Sequence, residues 1–164
     1  MLKKIAITMA FIGAIGSIAT VTAKKSTAPL QSEMKAFVVN TNAKGQERLR
    51  AVKKVEPGET IQYQLTYKNV SKKALQAITV TGPVPANTRF VGKSTKTAAR
   101  SNVLVSIDGG KKFEKEPVRR LRKIDGKKKM VVIPAEKYTH VRWKTSSALD
   151  AGKTQVFSYR VKVK

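Results

Sequence analysis

The sequence predicts an all-β protein, an antiparallel β-sandwich preceded by a signal-peptide helix. Three observations lead there. Apolar residues beyond the N-terminal segment recur at every second position and never sustain a helical spacing. The alternating runs are short, and Gly, Pro, Asn and Asp clusters separate them. The first residues, by contrast, form one long, mainly apolar stretch behind a pair of lysines.

That opening stretch, "MLKKIAITMAFIGAIGSIATVTAKK", has the layout of a secretory signal: a basic start, an apolar run from Ile5 to Val21, then Val-Thr-Ala. Cleavage after Ala23 puts small residues at the required places and leaves a chain that begins at Lys24. The competing reading is an uncleaved anchor. The run is short for the roughly 20 apolar residues of a spanning helix, and Gly, Ser and Thr interrupt it. No cysteine follows, which excludes a lipid-anchored precursor. The expected organisation is therefore a signal peptide at 1–23, a flexible leader at 24–33 and a β-sandwich domain at 34–164. After cleavage no stable transmembrane segment is expected. The protein should be exported, to the periplasm or beyond, and associate with the cell envelope.

Along the domain, "MKAFVVN" and "ERLRAV" flank a hairpin turn at Asn42 to Gly45, where Gly45 supplies a positive φ. Glu56-Pro57-Gly58-Glu59 is a second turn, with proline and glycine at its two central positions. In the strand that follows, Ile61, Tyr63, Leu65 and Tyr67 alternate with Gln62, Gln64, Thr66 and Lys68, so one face is apolar and the other polar. A strand over Ala77 to Thr81 ends at Gly82-Pro83-Val84-Pro85, because proline cannot donate to a β-ladder. Thr88 to Val91 is a short strand. Val103, Val105 and Ile107 mark another, closed by the turn Asp108-Gly109-Gly110. "KKFEKEPVRRLRKIDGKKK" reads as a basic, turn-rich connection, followed by a short apolar run from Met130 to Ile133. Val141 and Trp143 then alternate with His140, Arg142 and Lys144. After the turn in "LDAGKT", Phe157, Tyr159, Val161 and Val163 face one way and Ser158, Arg160, Lys162 and Lys164 the other.

Composition narrows the function classes. The 164 residues suit one domain with a sizeable core, since 41% are hydrophobic. There is no cysteine, so disulfides, thiolate metal sites and cysteine nucleophiles are excluded. Lysine and arginine total 34 against 10 acidic residues, a formal net charge of +24. An excess of that size implies an anionic partner or surface. For an exported chain the partner is an anionic envelope polymer, lipid head groups or an envelope protein. Nucleic acid is not expected.

Taken in order, "VEPGETIQYQLTYKNVS", "ITVTGPVPANTRFV", "VLVSIDGGKKF", "THVRWKT" and "LDAGKTQVFSYRVKV" resemble the bacterial conserved-repeat family known as domain of unknown function eleven. The likeness runs from Val52 to Val163 and rests on the Pro57-Gly58 turn, Tyr67 followed by Asn69, Pro85, and Gly152 before the last strand. The resemblance implies an immunoglobulin-like sandwich in an exported or surface protein, with no catalytic residues. Two departures stand out: no second copy is present, and Gly82 occupies a position where members commonly carry an acidic residue.

Individual residues can be weighed against their strand positions. Tyr63, Tyr67 and Trp143 could make a carbohydrate-stacking platform, but they lie on the apolar sides of their strands and are assigned to the core. His140, the sole histidine, faces the polar side without a second ligand or a nucleophile beside it. Asp108 brings a single carboxylate among lysines, far short of a calcium site. Asn69-Val70-Ser71 matches a glycosylation sequon but is discounted for a chain of bacterial type. An enzyme would need paired carboxylates or a nucleophile with a base; neither is present, and no cofactor is implied. What remains is the stretch from Lys111 to Lys129, with ten basic residues against three acidic ones. Its candidate anion-binding residues are Lys111, Lys112, Arg119, Arg120, Arg122, Lys123, Lys127, Lys128 and Lys129. A charged loop can also serve solubility alone, but solubility has no need of a single sign.

Overall fold

The computed structural model describes residues 28–164; the expected signal-peptide helix, and residues 24–27 of the expected leader, lie outside the described residues. Eleven strands follow in chain order: β1 (Leu30–Thr41), β2 (Glu47–Ala51), β3 (Thr60–Asn69), β4 (Thr79–Pro83), β5 (Thr88–Phe90), β6 (Lys96–Thr97), β7 (Ser101–Ser106), β8 (Arg119–Ile124), β9 (Lys127–Val132), β10 (His140–Thr145) and β11 (Thr154–Val163). A single 3-10 turn, Ala135–Lys137, interrupts them.

All pairings are antiparallel. The larger sheet has the order β2-β1-β3-β11-β5, with β6 also paired to β11; the smaller is β4-β10-β7. The alternation in β3 and β11 sets their register, with Tyr159 opposite Tyr63 and Phe157 opposite Leu65. Both apolar rows therefore point at the smaller sheet, where Val141 and Trp143 point back. The result is the antiparallel β-sandwich that the alternation predicts. β10 and β11 sit in opposite sheets, whereas the immunoglobulin order keeps its last two strands together. The likeness to immunoglobulin domains is thus one of architecture, not of strand order.

Aromatic rings fill the interior. Trp143, Tyr159, Phe157 and Phe90 are buried, and Trp143 packs 5.5 Å from Phe157 and 6.2 Å from Tyr159 across the two sheets. Tyr63 stacks on Tyr159 at 5.3 Å. Tyr63 and Tyr67 are half-buried against this cluster, as their strand face requires. The Tyr159 hydroxyl donates to the carbonyl of Pro83, tying the last strand of one sheet to the edge of the other. Gly82 makes room for that ring: a Cβ there would lie 2.5 Å from Tyr159 Cε1. No side chain, acidic or otherwise, fits without moving the tyrosine.

Asn69 closes one end of the sandwich. It is buried, and its amide donates to the carbonyls of Lys73 at 2.7 Å and Leu149 at 2.8 Å. Its Oδ1 accepts from the Ser71 N–H and hydroxyl. A side chain so engaged has no free amide for a glycan, so the sequon is a structural corner. Its full satisfaction matters because an unpaired buried amide would cost about 1–3 kcal/mol.

Two expected boundaries change. The leader expected through residue 33 ends earlier, because β1 begins at Leu30 and pairs there with Asn69. Gln31, Ser32 and Glu33 are exposed, so backbone pairing, not burial, orders them, and no alternation announces it. The stretch expected as a turn-rich connection folds instead into a two-stranded ribbon, β8–β9. Asp125 (φ 50°) and Gly126 (φ 76°) form its turn, the Asp-Gly pair that suits a tight hairpin with two positive φ values.

Candidate anion-binding ribbon

The ribbon grows out of the core. Val118 and Ile133 flank its root and are both buried, and the Ile133 N–H donates to the Val118 carbonyl at 2.8 Å. Beyond that pair the β8 and β9 backbones pair only with one another. Strand alternation then divides the side chains between two faces. The face continuous with Val118 and Ile133 carries Arg120 opposite Val131, Arg122 opposite Lys129, and Ile124 opposite Lys127. The other carries Arg119 opposite Val132, Leu121 opposite Met130, and Lys123 opposite Lys128.

Arg120 is a strut. Its Nη1 donates to Glu114 Oε2 at 3.0 Å, and Nη2 grips the other carboxylate oxygen. This clamp holds the Glu114 carboxyl below the usual carboxylate range. Glu114 is itself fixed to β7, exchanging backbone hydrogen bonds of 2.8 and 2.9 Å with Val105. The root is thereby braced against the smaller sheet.

The remaining cations of the ribbon are not so engaged. Arg119, Arg122, Lys123, Lys127, Lys128 and Lys129 are exposed, and none takes part in a salt bridge among the described residues. Two cross-strand pairs, Arg122–Lys129 and Lys123–Lys128, join like charges. Such pairs oppose strand association, so local stability does not account for them. Asp125, at the turn, is the ribbon's single acidic residue.

Lys111 and Lys112 stand apart from the two strands. They are exposed beside the Asp108-Gly109-Gly110 turn. There Asp108 accepts from the Lys112 N–H at 3.0 Å and from the Ser106 hydroxyl at 2.7 Å. Those bonds hold the Asp108 carboxyl below its ordinary range. Asp108 thus closes a turn. The structure gathers seven of the nine candidate residues on one ribbon and spends Arg120 on support.

Sequence reasoning missed four exposed apolar side chains that the ribbon carries beside its cations: Leu121, Ile124, Met130 and Val132 are 57, 39, 62 and 51% exposed. The Asp-Gly pair between two six-residue runs was the available signal. Charges on both faces concealed the alternation that would have confirmed it.

Other conspicuous residues are structurally committed. Arg142 lies 3.5 Å over the Phe113 ring and donates through Nε to Thr81 Oγ1. His140 packs edge-on to Phe113, with Nδ1 3.2 Å from Thr139 Oγ1. Among the described residues no group of three or more His, Cys, Asp and Glu side chains lies together, and no helix is long and apolar enough to cross a membrane. No protein-family model, curated protein or solved structure matches the chain.

Proposed function

We propose that this is an exported, non-enzymatic β-sandwich module that binds an anionic component of the cell envelope through the β8–β9 ribbon. The observation that carries the reading is the pairing of like charges across the ribbon, Arg122 with Lys129 and Lys123 with Lys128. The two pairs lie on opposite faces, so an anionic partner on either face of the ribbon would neutralise the pair it meets. The N-terminal signal-like segment and the family resemblance support export and a surface role. Absence of a nucleophile with a base, read from the sequence, supports a binding role over a catalytic one.

A second reading rests on β2. This five-residue strand is exposed throughout and forms the outer edge of the larger sheet, so a partner strand could add there by main-chain hydrogen bonds. Binding of the 24–164 chain to isolated envelopes across a salt series separates the two. Loss of binding between low and moderate salt supports the ribbon, because screening shortens the reach of exposed charges. Saturable binding that survives salt overturns it in favour of the edge.

A further inference from the structure

Charge alone leaves part of the ribbon unexplained. On its outward face Val132, Leu121 and Met130 form a contiguous apolar row, each more than half exposed. Arg119 and the Lys123–Lys128 pair frame that row at its two ends. Elsewhere exposed apolar residues are more scattered: Val156 stands opposite the polar Thr66, and Leu49 opposite the half-buried Val39. Single exposed apolar side chains need no explanation, whereas a clustered row on a projecting element marks a binding surface.

We infer that this face is an interfacial membrane arm: Leu121, Met130 and Val132 enter the head-group boundary of an anionic bilayer while the surrounding lysines and arginines bind lipid phosphates. The inference rests on the proposed anion-binding role of the ribbon and names its partner as a lipid surface.

Three considerations favour a bilayer over other polyanions. A soluble phosphate or sugar-acid polymer offers nothing for three bare apolar side chains to enter, and water would remain around them. A protein partner is a poor match too, since lysine is depleted at the centres of protein interfaces. A bilayer surface satisfies both chemistries in one plane. Long lysine and arginine stems lie along apolar surface and carry their charges up to the phosphates. This arrangement of apolar face and basic flank is the one that interfacial amphipathic elements use. The outward orientation matters as well, because the face at the root is turned to the sandwich by Val118 and Ile133. The far face can meet a flat surface without unpacking the core.

The test uses residues 24–164, since the described sandwich carries its own core. Co-sedimentation is measured with vesicles of phosphatidylglycerol and phosphatidylcholine, with pure phosphatidylcholine vesicles, and with soluble polyphosphate. The native chain should bind the anionic vesicles, with each cation near the surface worth roughly fivefold in partition. A chain carrying Leu121→Ser, Met130→Ser and Val132→Ser should lose about tenfold or more on those vesicles, by the transfer cost of bare apolar groups, yet keep its affinity for polyphosphate. The chain has no cysteine, so Leu121→Cys takes a single environment-sensitive dye, whose emission should shift to the blue on anionic vesicles. Equal vesicle binding by the triple variant, or an unshifted dye, overturns insertion while leaving the anion-binding role standing. Native binding to polyphosphate without vesicle binding does the same. Binding to neither overturns both.

Discussion

The sandwich and the ribbon obey opposite rules. In the sandwich the inward apolar rows meet one another: Trp143 meets Phe157 and Tyr159, and the buried, polar Asn69 has each hydrogen-bonding group satisfied. In the ribbon the apolar row of Leu121, Met130 and Val132 faces outward, and cations sit opposite cations. One region is arranged for its own stability. The other is arranged at some cost to it, and such a cost is what an element kept for a partner shows. The braced root, with Val118 and Ile133 in the core and Arg120 clamped on Glu114, lets the two coexist.

The contrast makes distinct forecasts for the two regions. Trp143→Ala should have the largest effect, destabilising the domain by about 3–5 kcal/mol in urea unfolding, because the indole fills the space between the sheets. A much smaller loss would mean that the sheets can close on the gap. Asn69→Ala should cost about 1–3 kcal/mol by the same measurement, since it removes the buried amide's bonds to the carbonyls of Lys73 and Leu149 at the closed end. Lys128→Glu should act in the other sense. It replaces a repulsive pair with an attractive one opposite Lys123, raising the melting temperature by about 1–3 °C while weakening binding to anionic vesicles. A variant that lost both stability and binding would remove the distinction between the regions.

The smallest forecast effect concerns acid. The Glu114 carboxyl titrates below its ordinary range because Arg120 binds the charged form. The brace is therefore complete above the ordinary carboxylate range and is lost as pH falls through the lowered value. Amide exchange in β8 and β9 should speed up there before exchange in β3 and β11 does. Simultaneous acceleration would show that the ribbon has no independent opening.

Much of the fold was legible because burial on one side of a sheet imposes a period of two. Tyr63, Leu65, Val141, Trp143, Phe157 and Tyr159 could be assigned to one interior from their spacing, and Gly45, Gly58 and Gly109 to turns from their conformational freedom. The ribbon was not legible as a ribbon. Neither face of it is buried along its length, so no alternation marks the strands, and charge made the stretch look like a loop. The first residues of β1 were hidden for a related reason: Gln31 to Glu33 are held by backbone pairing, to which polar side chains contribute no pattern.

The sequence by itself determined the all-β class, the turns, the aromatic interior and the one-signed charge of residues 111 to 129. These follow from local periodicity, backbone preference and composition, each readable within a few residues. Only the tertiary structure decided that β10 and β11 enter opposite sheets, that Gly82 must yield its space to Tyr159, and that Arg120 braces the ribbon. It alone placed Leu121, Met130 and Val132 on the outward face. Those outcomes depend on contacts between residues distant in the chain and on which side of a strand finds cover, and no local pattern encodes either.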